Sequence, residues 1–479
     1  MTEHPLHRQW FAEANRLQAA GRLTEAISLW QQLLRQAPHD WQARLNLASA
    51  QQQSGDYEAA LEGYLAVLAQ QPQALGARVN LAQLLKVLGE YALAHDLLQE
   101  VLQQQPDHVE ALAALALVQG YLGQNDAAVD SAWRAWRLAP QRPALAANLG
   151  LLLTQARRYD EAEQVLSDAI RHFGALPALC WNRAIVRLYQ GDYLAAWPDY
   201  EARFDCVLAA QHEALPRLTL SPPPAGRVLL WAEQGLGDSI MVMRLLPRLA
   251  QLGVVCDIEA PAALHPLLAQ LLPQARLLTQ VDERHYVAQL PLMSLPGLLQ
   301  LACDDIPRTP YLQAETARLQ PWVSWLSARR SQPRAIGLVW SSGAWGVGAA
   351  DYNRQRKSLA PEQLLPLLAQ SGIDWVALQQ GALPPPLQGR LHHAGEQLHD
   401  FADTAAVLAG LDLLITVDTA VAHLAAAMGK PVWLLMRYEG APFFGAADEA
   451  PWYRQVTVLR EQQPGQWDEV LSRCITMLN

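Results

Sequence analysis

Residues 55–89 read GDYEAALEGYLAVLAQQPQALGARVNLAQLLKVLG, and the pattern in this stretch recurs every 34 residues through the first two hundred residues of the chain. Glycine, alanine and proline each keep this spacing, at Gly21, Gly55, Gly89, Gly123 and Gly191, at Ala26, Ala60, Ala94, Ala128, Ala162 and Ala196, and at Pro38, Pro72, Pro106 and Pro140. Arg157 takes the fifth place of the glycine series. Such a glycine ends the first helix of a pair, the alanine lets two helices approach, and the proline ends the second helix. The spacing predicts about six stacked helical hairpins.

This helix–turn–helix unit resembles the tetratricopeptide repeat (TPR) family over residues 4–205. In that family the first helices line the concave groove of a superhelix. Asparagine stands nine residues before the glycine position in four of five repeats, at Asn46, Asn80, Asn148 and Asn182, with Ala114 as the exception. An asparagine amide can both donate to and accept from a peptide backbone, so these residues predict an acceptor-binding ladder similar to that of the O-linked N-acetylglucosamine transferases. The alternative is that they satisfy only local backbone groups.

The helical pattern stops at Pro222-Pro223-Pro224, and strand–loop–helix–strand units follow. The first is RVLLWAEQGLGDSIMVMRLLPRLAQLGVVCDIEA (227–260), which predicts strands at 227–231 and 254–259 around a helix from about Asp238, capped by Asp238 and Ser239. A second lobe begins near Pro333. A chain of 479 residues exceeds one hydrophobic core. We therefore predict a repeat domain (1–205), a linker (206–225) and two lobes (226–330 and 331–479).

In the second lobe, Asp418 and Thr419 lie where a predicted strand becomes a helix. The ends of parallel strands and the N-termini of helices are where α/β sheets bind phosphates. His423 lies about one turn into that helix. The densest basic cluster, Arg354 to Lys357, precedes a helix predicted to start at Ser358, and the SSG loop at Ser341 follows another strand. These residues predict a site for an anionic ligand.

Two such lobes resemble the GT-B glycosyltransferase fold. The LGD segment (236–238) and the DTAVAH segment (418–423) resemble the lipopolysaccharide heptosyltransferase family. The resemblance implies an inverting enzyme without metal or cofactor, with a nucleotide sugar as co-substrate. It assigns Asp238 as catalytic base. Glu233, in the same loop, is the next candidate. The resemblance assigns the donor to the segment with Asp418, Thr419, Ala420 and His423, and a phosphate contact to Lys357 or Arg354. We also expect Ser341 at the donor and Gly235 and Gly237 on the acceptor side. Ala420 departs from the family's usual glycine, which affects how closely a donor phosphate approaches the backbone.

Repeats joined to this lobe pair resemble the bacterial flagellin glycosyltransferases, which modify Ser and Thr with nonulosonic acids. This implies a protein O-glycosyltransferase whose repeats hold flagellin. One alternative is a transferase for a glycan or lipid acceptor, with repeats serving only assembly. Another is a repeat scaffold whose lobes no longer catalyse. Repeat faces often pair, so a homo-oligomer is also an expectation.

Composition limits the classes of binding partner and the cellular compartment that we expect. The net charge is −10 and no block of Lys or Arg occurs outside the short cluster, which argues against nucleic acid. The N-terminus lacks a basic segment followed by an apolar run, and no apolar stretch reaches membrane-spanning length. The five cysteines are odd in number and lack metal or redox spacing. We expect free thiols, no membrane insertion and a cytoplasmic protein.

Overall fold

The computed structural model describes residues 5–343, 354–447 and 450–479. The chain forms two compact units, which divide between Ala156 and Arg157. The first unit is helical. Its helices are α1 (Pro5–Ala19), α2 (Leu23–Gln36), α3 (Trp41–Ser54), α4 (Tyr57–Gln70), α5 (Leu75–Leu88), α6 (Tyr91–Gln104), α7 (Val109–Tyr121), α8 (Asn125–Leu138) and α9 (Pro143–Gln155).

The periodic residues of the first unit act as their types predict. Gly55 and Gly89 follow α3 and α5 with φ of 86° and 87°, a backbone that glycine adopts without strain. Alanines of the series have no exposed surface where helices cross, as at Ala26, Ala60 and Ala94. Consecutive helices therefore pack closely, and the helical repeats are confirmed.

The second unit begins with three more helices of the repeat pattern, α10 (Tyr159–Phe173), α11 (Pro177–Gln190) and α12 (Tyr193–Tyr200), followed by α13 (Arg203–Cys206). Tyr193, Trp197 and Tyr200 are buried in the same core as the sheets that follow. The Trp197 indole donates to the Leu301 carbonyl at 2.8 Å, and the Trp452 indole donates to the Tyr193 hydroxyl at 3.0 Å. The compact units thus divide before the end of the repeats at residue 205, and the last repeat helices fold with the lobes.

The first lobe is a parallel sheet in the order β3-β2-β1-β4. Its strands and helices are β1 (Arg227–Trp231), α14 (Leu236–Val242), α15 (Leu246–Gln251), β2 (Val255–Glu259), α16 (His265–Leu271), β3 (Leu277–Leu278), β4 (Ala288–Pro291) and α17 (Leu295–Leu298). Val228 of β1 pairs with Cys256 on one side and Ala288 on the other. The strand order reverses direction between β1 and β4, so a crevice opens at the carboxyl end of β1.

The second lobe is a parallel sheet in the order β10-β9-β8-β5-β6-β7. Its elements are α18 (Thr316–Ser327), β5 (Arg334–Val339), α19 (Leu365–Leu368), β6 (Ile373–Ala377), β7 (His392–His393), α20 (Phe401–Ala409), β8 (Leu413–Val417), α21 (Ala420–Ala427), β9 (Val432–Met436), β10 (Val456–Arg460) and α22 (Trp467–Leu478). Val339 of β5 pairs with Thr416 of β8, and the order reverses between these two strands. Helical repeats followed by parallel α/β lobes confirm the predicted fold class.

Two local predictions are wrong. The helix after β1 begins at Leu236, with Gly235 as its N-cap, so Asp238 and Ser239 lie in the first turn and do not cap it. That helix is also interrupted by a 3-10 turn at Met243–Leu245. No helix starts at Ser358; a 3-10 helix starts at Pro361, where proline suits a first helical position.

The five cysteines are free thiols, three of them buried, as the sequence predicts. Within residues 5–343, 354–447 and 450–479, no helix has both the length and the apolar character needed to span a membrane.

Candidate active site

Asp238 lies just beyond the carboxyl end of β1, in the first turn of α14, with its side chain partly exposed. Burial raises the pKa of its carboxyl to about 7, repulsion from Asp418 and Glu233 adds to this, and Lys357 opposes it. The Gly235 backbone N–H also bonds to this carboxylate. A carboxyl that titrates near neutral pH suits a general base.

Lys357 and Asp418 meet at the carboxyl end of β8. The Lys357 ammonium donates to the Asp418 carboxylate, with Nζ and Oδ2 2.7 Å apart. Burial alone would raise the pKa of Asp418, but the charge of Lys357 and its hydrogen bond hold the pKa below its usual value. Asp418 is therefore ionised at neutral pH and fixes the ammonium at the edge of the sheet.

Thr419 and Ala420 form the start of α21. Thr419 is its N-cap, with extended backbone, yet its side chain does not cap the helix; the hydroxyl lies 3.2 Å from that of Thr416. A helix N-terminus attracts an anion through its first N–H groups. The donor-side residues predicted in this segment therefore surround a helix start beside a lysine.

The end of β5 reaches the basic segment through Ser358. The Ser358 hydroxyl donates to the Arg354 carbonyl at 2.7 Å and lies 3.2 Å from the Ser341 hydroxyl. The Ser341 N–H donates to Gln379 Oε1 at 3.0 Å. Ser341, Arg354 and Lys357 thus share one segment of the second lobe. The rest of the loop predicted to bind an anion, residues 344–353, lies outside the described residues.

His423 is buried, with 5% of its surface exposed. Its Nδ1 lies 2.9 Å from the Tyr453 hydroxyl, and the Phe444 ring packs on it with centroids 4.9 Å apart. Burial lowers the pKa of His423 to about 4, so the imidazole is neutral at pH 7. Any contact that it makes with a donor uses a neutral ring. Its assignment to the donor stays a prediction.

Gly237 brings the two helix starts together. A Cβ on this residue would lie 2.7 Å from His423 Cδ2 and 3.4 Å from Ala420 Cα. A Cβ on Gly235 would lie 3.3 Å from Asp238 Oδ2. Gly237 thus allows α14 to approach α21, which places the candidate base of one lobe beside the candidate anion site of the other.

We expect Gly237→Ala to lower the free energy of unfolding by about 1–3 kcal/mol, because the added methyl overpacks against a histidine ring held by its bond to Tyr453. Thermal unfolding at pH 7 measures this. Gly76→Ala in α5 is the control, since no atom lies within 4 Å of its added Cβ. A Tm for Gly237→Ala equal to that of the wild type would mean that the two helix starts are farther apart.

Glu233, the second candidate for the catalytic base, is bound by groups outside the candidate donor site. Its carboxylate accepts from the buried Arg203 guanidinium at 2.9 Å and from the Met293 N–H at 3.1 Å. Arg203 also donates to Ser294 Oγ at 2.8 Å. Burial raises the pKa of Glu233. These bonds join α13, the loop after β1 and the loop after β4, which is a structural role.

Arg437 is a site residue that sequence reasoning missed. It follows β9, the neighbour of β8, and its charge is among those that lower the pKa of Asp418. A charged residue directly after a buried parallel strand is the signal that singled out Asp418. Applied to the segment PVWLLMR, it would have found Arg437.

Comparisons with known proteins match three segments of the chain to protein families. The model of glycosyltransferase family 9 (heptosyltransferase) matches residues 399–472, which contain the segment from Asp418 to His423. Two tetratricopeptide-repeat models match residues 11–75 and 53–118. The chain carries tetratricopeptide repeats and a glycosyltransferase family 9 domain. The family 9 match covers the end of the second lobe, and Asp238 and Lys357 lie before it.

Three known proteins are similar to parts of the chain that differ in length. Protein FlbA of Caulobacter vibrioides is 26% identical over 358 residues, which cover 66% of this chain and 59% of that protein. A thermophilic TPR protein of Thermus thermophilus is 24% identical, with a TM-score of 0.36, over 38% of this chain and 99% of that one. A tetratricopeptide repeat protein of Parabacteroides merdae is 21% identical, with a TM-score of 0.35, over 42% of this chain and 79% of that one.

Proposed function

We propose that the chain is an inverting glycosyltransferase that moves a sugar from a nucleotide-activated donor to a Ser or Thr hydroxyl of a protein acceptor. The repeats hold the acceptor, and flagellin carrying a nonulosonic acid is the first acceptor and product to test. The observation that supports this best is the placement of Asp238, with a pKa of about 7, beside the Lys357–Asp418 pair and the start of α21. The family 9 match adds to it.

The arrangement suits a single displacement. The acceptor oxygen attacks the anomeric carbon as Asp238 takes its proton, and the bond from that carbon to the phosphate oxygen breaks. Lys357, Arg437 and the N–H groups at the start of α21 would stabilise the negative charge that develops on the departing phosphate. Attack from the side opposite the phosphate inverts the anomeric centre. We propose that these cations and dipoles serve in place of a metal.

The test uses the full chain with CMP-, UDP-, GDP- and ADP-sugars and three acceptors: flagellin, a lipid-linked oligosaccharide and no acceptor. Nucleotide release and the intact mass of flagellin are measured together, and flagellin from a strain lacking the gene supplies the unmodified acceptor. A mass gain on flagellin supports the proposal. Transfer only to the oligosaccharide supports a glycan or lipid acceptor instead. Absence of both transfer and nucleotide release supports a scaffold without catalysis.

The asparagines predicted to bind the acceptor lie on first helices of their pairs and are partly exposed, at Asn46, Asn80, Asn148 and Asn182. The Asn46 amide donates to Asn15 Oδ1 at 3.3 Å, so a peptide would replace or extend this local bond. Binding of backbone through such amides is independent of the acceptor's side chains.

Changing all four asparagines to alanine should raise the KM for the protein acceptor by about 10–100-fold, since each lost neutral hydrogen bond costs about 0.5–1.5 kcal/mol and not all are made at once. Slow hydrolysis of the donor, which needs no peptide, should persist. Gln103→Ala, on the exposed face of α6, is the control. An unchanged KM in a folded quadruple variant would exclude the ladder.

A further inference from the structure

Arg157 stands where the other repeats have glycine, and it keeps the backbone that glycine provides. Its φ is 59°, whereas the glycines at the equivalent positions have φ between 72° and 87°. An arginine in the left-handed region is strained, because its Cβ crowds the backbone. Glycine would remove that strain. We therefore expect the arginine side chain to make an interaction that the repeat itself does not require.

The side chain of Arg157 reaches the second lobe. Its guanidinium donates to the Ala446 carbonyl at 3.2 Å and lies over the Tyr438 ring, 5.7 Å from the centroid. On the next first helix, the Tyr189 hydroxyl donates to the Glu439 carbonyl at 3.0 Å. The repeats therefore contact the segment after β9, residues 437–446, which we call the β9 loop, through Tyr438, Glu439 and Ala446 as well as through the packing of Tyr200 on Phe443.

These contacts border an open cleft. A cavity of about 790 Å³ is lined by Arg157, Tyr159 and Tyr189 on one side and by Gly445 to Ala447 on the other. The hydrogen bonds and the ring contact of Arg157 and Tyr189 join the two surfaces beside the cavity, while Tyr200 packs on Phe443 and Tyr193 packs near Trp452 in the shared core.

The β9 loop borders the candidate donor site from the other side. Arg437 at its start acts electrostatically on Asp418. The Glu439 carboxylate accepts from Arg356 at 3.3 Å, and Arg356 directly precedes Lys357. The Tyr438 N–H donates to the Glu461 carboxylate at 3.0 Å, which Arg356 also contacts at 3.4 Å. The loop thus links the repeat helices to two cations of the donor side.

We propose that Arg157 is a positioning residue for the donor site: it holds the β9 loop, and through that loop it fixes Arg437 and the segment of Arg356 and Lys357. The ligand it serves is the phosphate of the donor, so this inference rests on the proposed function. It makes the fifth repeat part of the donor-binding machinery rather than of acceptor binding alone.

The test compares the full chain with Arg157→Gly and Arg157→Lys. Glycine restores the residue of the series and relieves the backbone, so the variant should fold. Arg171→Gln, an exposed arginine of α10 paired with Asp168, is the control. Hydrogen exchange is followed for the amides of residues 437–446, and affinities for CMP, UDP, GDP and ADP are measured by calorimetry.

We expect Arg157→Gly to exchange faster in the β9 loop and to bind the nucleotide preferred by the wild type about 5–10-fold more weakly, because only part of the free energy of the lost hydrogen bond to a charged group reaches the donor site. Arg157→Lys should recover part of both, because it can still donate to Ala446. The control should match the wild type.

Unchanged exchange in Arg157→Gly would overturn the positioning role, and faster exchange with unchanged nucleotide affinity would overturn its link to the donor site. If the wild type binds no nucleotide, the link to a donor fails with the proposed function, while the exchange measurement still decides whether Arg157 holds the loop.

Discussion

Asp238→Asn should leave a folded protein that binds nucleotide but turns over about 10²–10⁴ times more slowly, the usual contribution of a positioned general base. The amide keeps the shape of the side chain and can still accept from the Gly235 N–H, but it cannot take a proton. Since Asp238 does not cap α14, the substitution removes basicity without removing a cap. Single-turnover sugar transfer at pH 7.5, with nucleotide affinity measured alongside, checks this.

The wild-type pH profile supplies the companion measurement. The pKa of Asp238 is raised to about 7, so the carboxyl is protonated below that pH and cannot act as base. Turnover should therefore rise between pH 6 and pH 8 and then level off. If Asp238→Asn keeps near-normal turnover and the same rise between pH 6 and pH 8, another residue is the base.

The same variant should be more stable at high pH. Between the ordinary pKa of 3.8 and the folded value of about 7, the native state holds more protons than the unfolded state, so Asp238 lowers stability progressively as pH rises through that window. Above pH 7 we expect Asp238→Asn to gain about 1–3 kcal/mol in the free energy of unfolding, after allowance for the partial exposure of the side chain. At pH 4 the two proteins should differ little.

Lys357→Met should weaken nucleotide binding by about 10²-fold or more, because loss of a charged partner at a desolvated phosphate costs about 2–5 kcal/mol. The variant should also lose about 1–3 kcal/mol of stability at pH 7, since Asp418 keeps its charge without the ammonium, and the partial exposure of both side chains reduces the cost. Calorimetry with the nucleotide preferred by the wild type, and thermal unfolding, measure the two effects separately.

The double variant Lys357→Met with Asp418→Asn separates binding from folding. Removal of both charges leaves no unpaired carboxylate, so the Tm should return toward that of the wild type. Nucleotide binding should remain weak, because the cation is still absent. Recovery of binding together with the Tm would show that Lys357 acts only through the fold.

Local chemistry explains what the sequence could predict. The period of 34, the strand at 227–231 and the strand-to-helix step at Asp418 each depend on a few neighbouring residues whose backbone preferences agree. The contact of Lys357 with Asp418 could also be predicted, because the segments that follow adjacent parallel strands lie at the same edge of a sheet.

Long-range packing explains the features that the sequence could not predict. The start of α14 at Leu236 places Gly237 in its first turn, against α21, and a short pattern does not reveal that partner. The bond from Glu233 to Arg203 joins residues 30 apart in sequence. The place where the compact units divide depends on aromatic side chains such as Trp197. The sequence does not distinguish these residues from other repeat residues, because it does not show which core they join.

That division has a consequence for how such proteins diversify. Repeat arrays change length by duplication or loss of whole 34-residue modules, and each module contacts mainly its neighbours. Modules before Ala156 can be gained, lost or exchanged without touching the core that Tyr193, Trp197 and Tyr200 share with the lobes. The last modules have no such freedom, since their aromatic residues are inherited as part of the transferase. Under the proposed function, acceptor range can therefore evolve at one end of the array while the catalytic end stays constant.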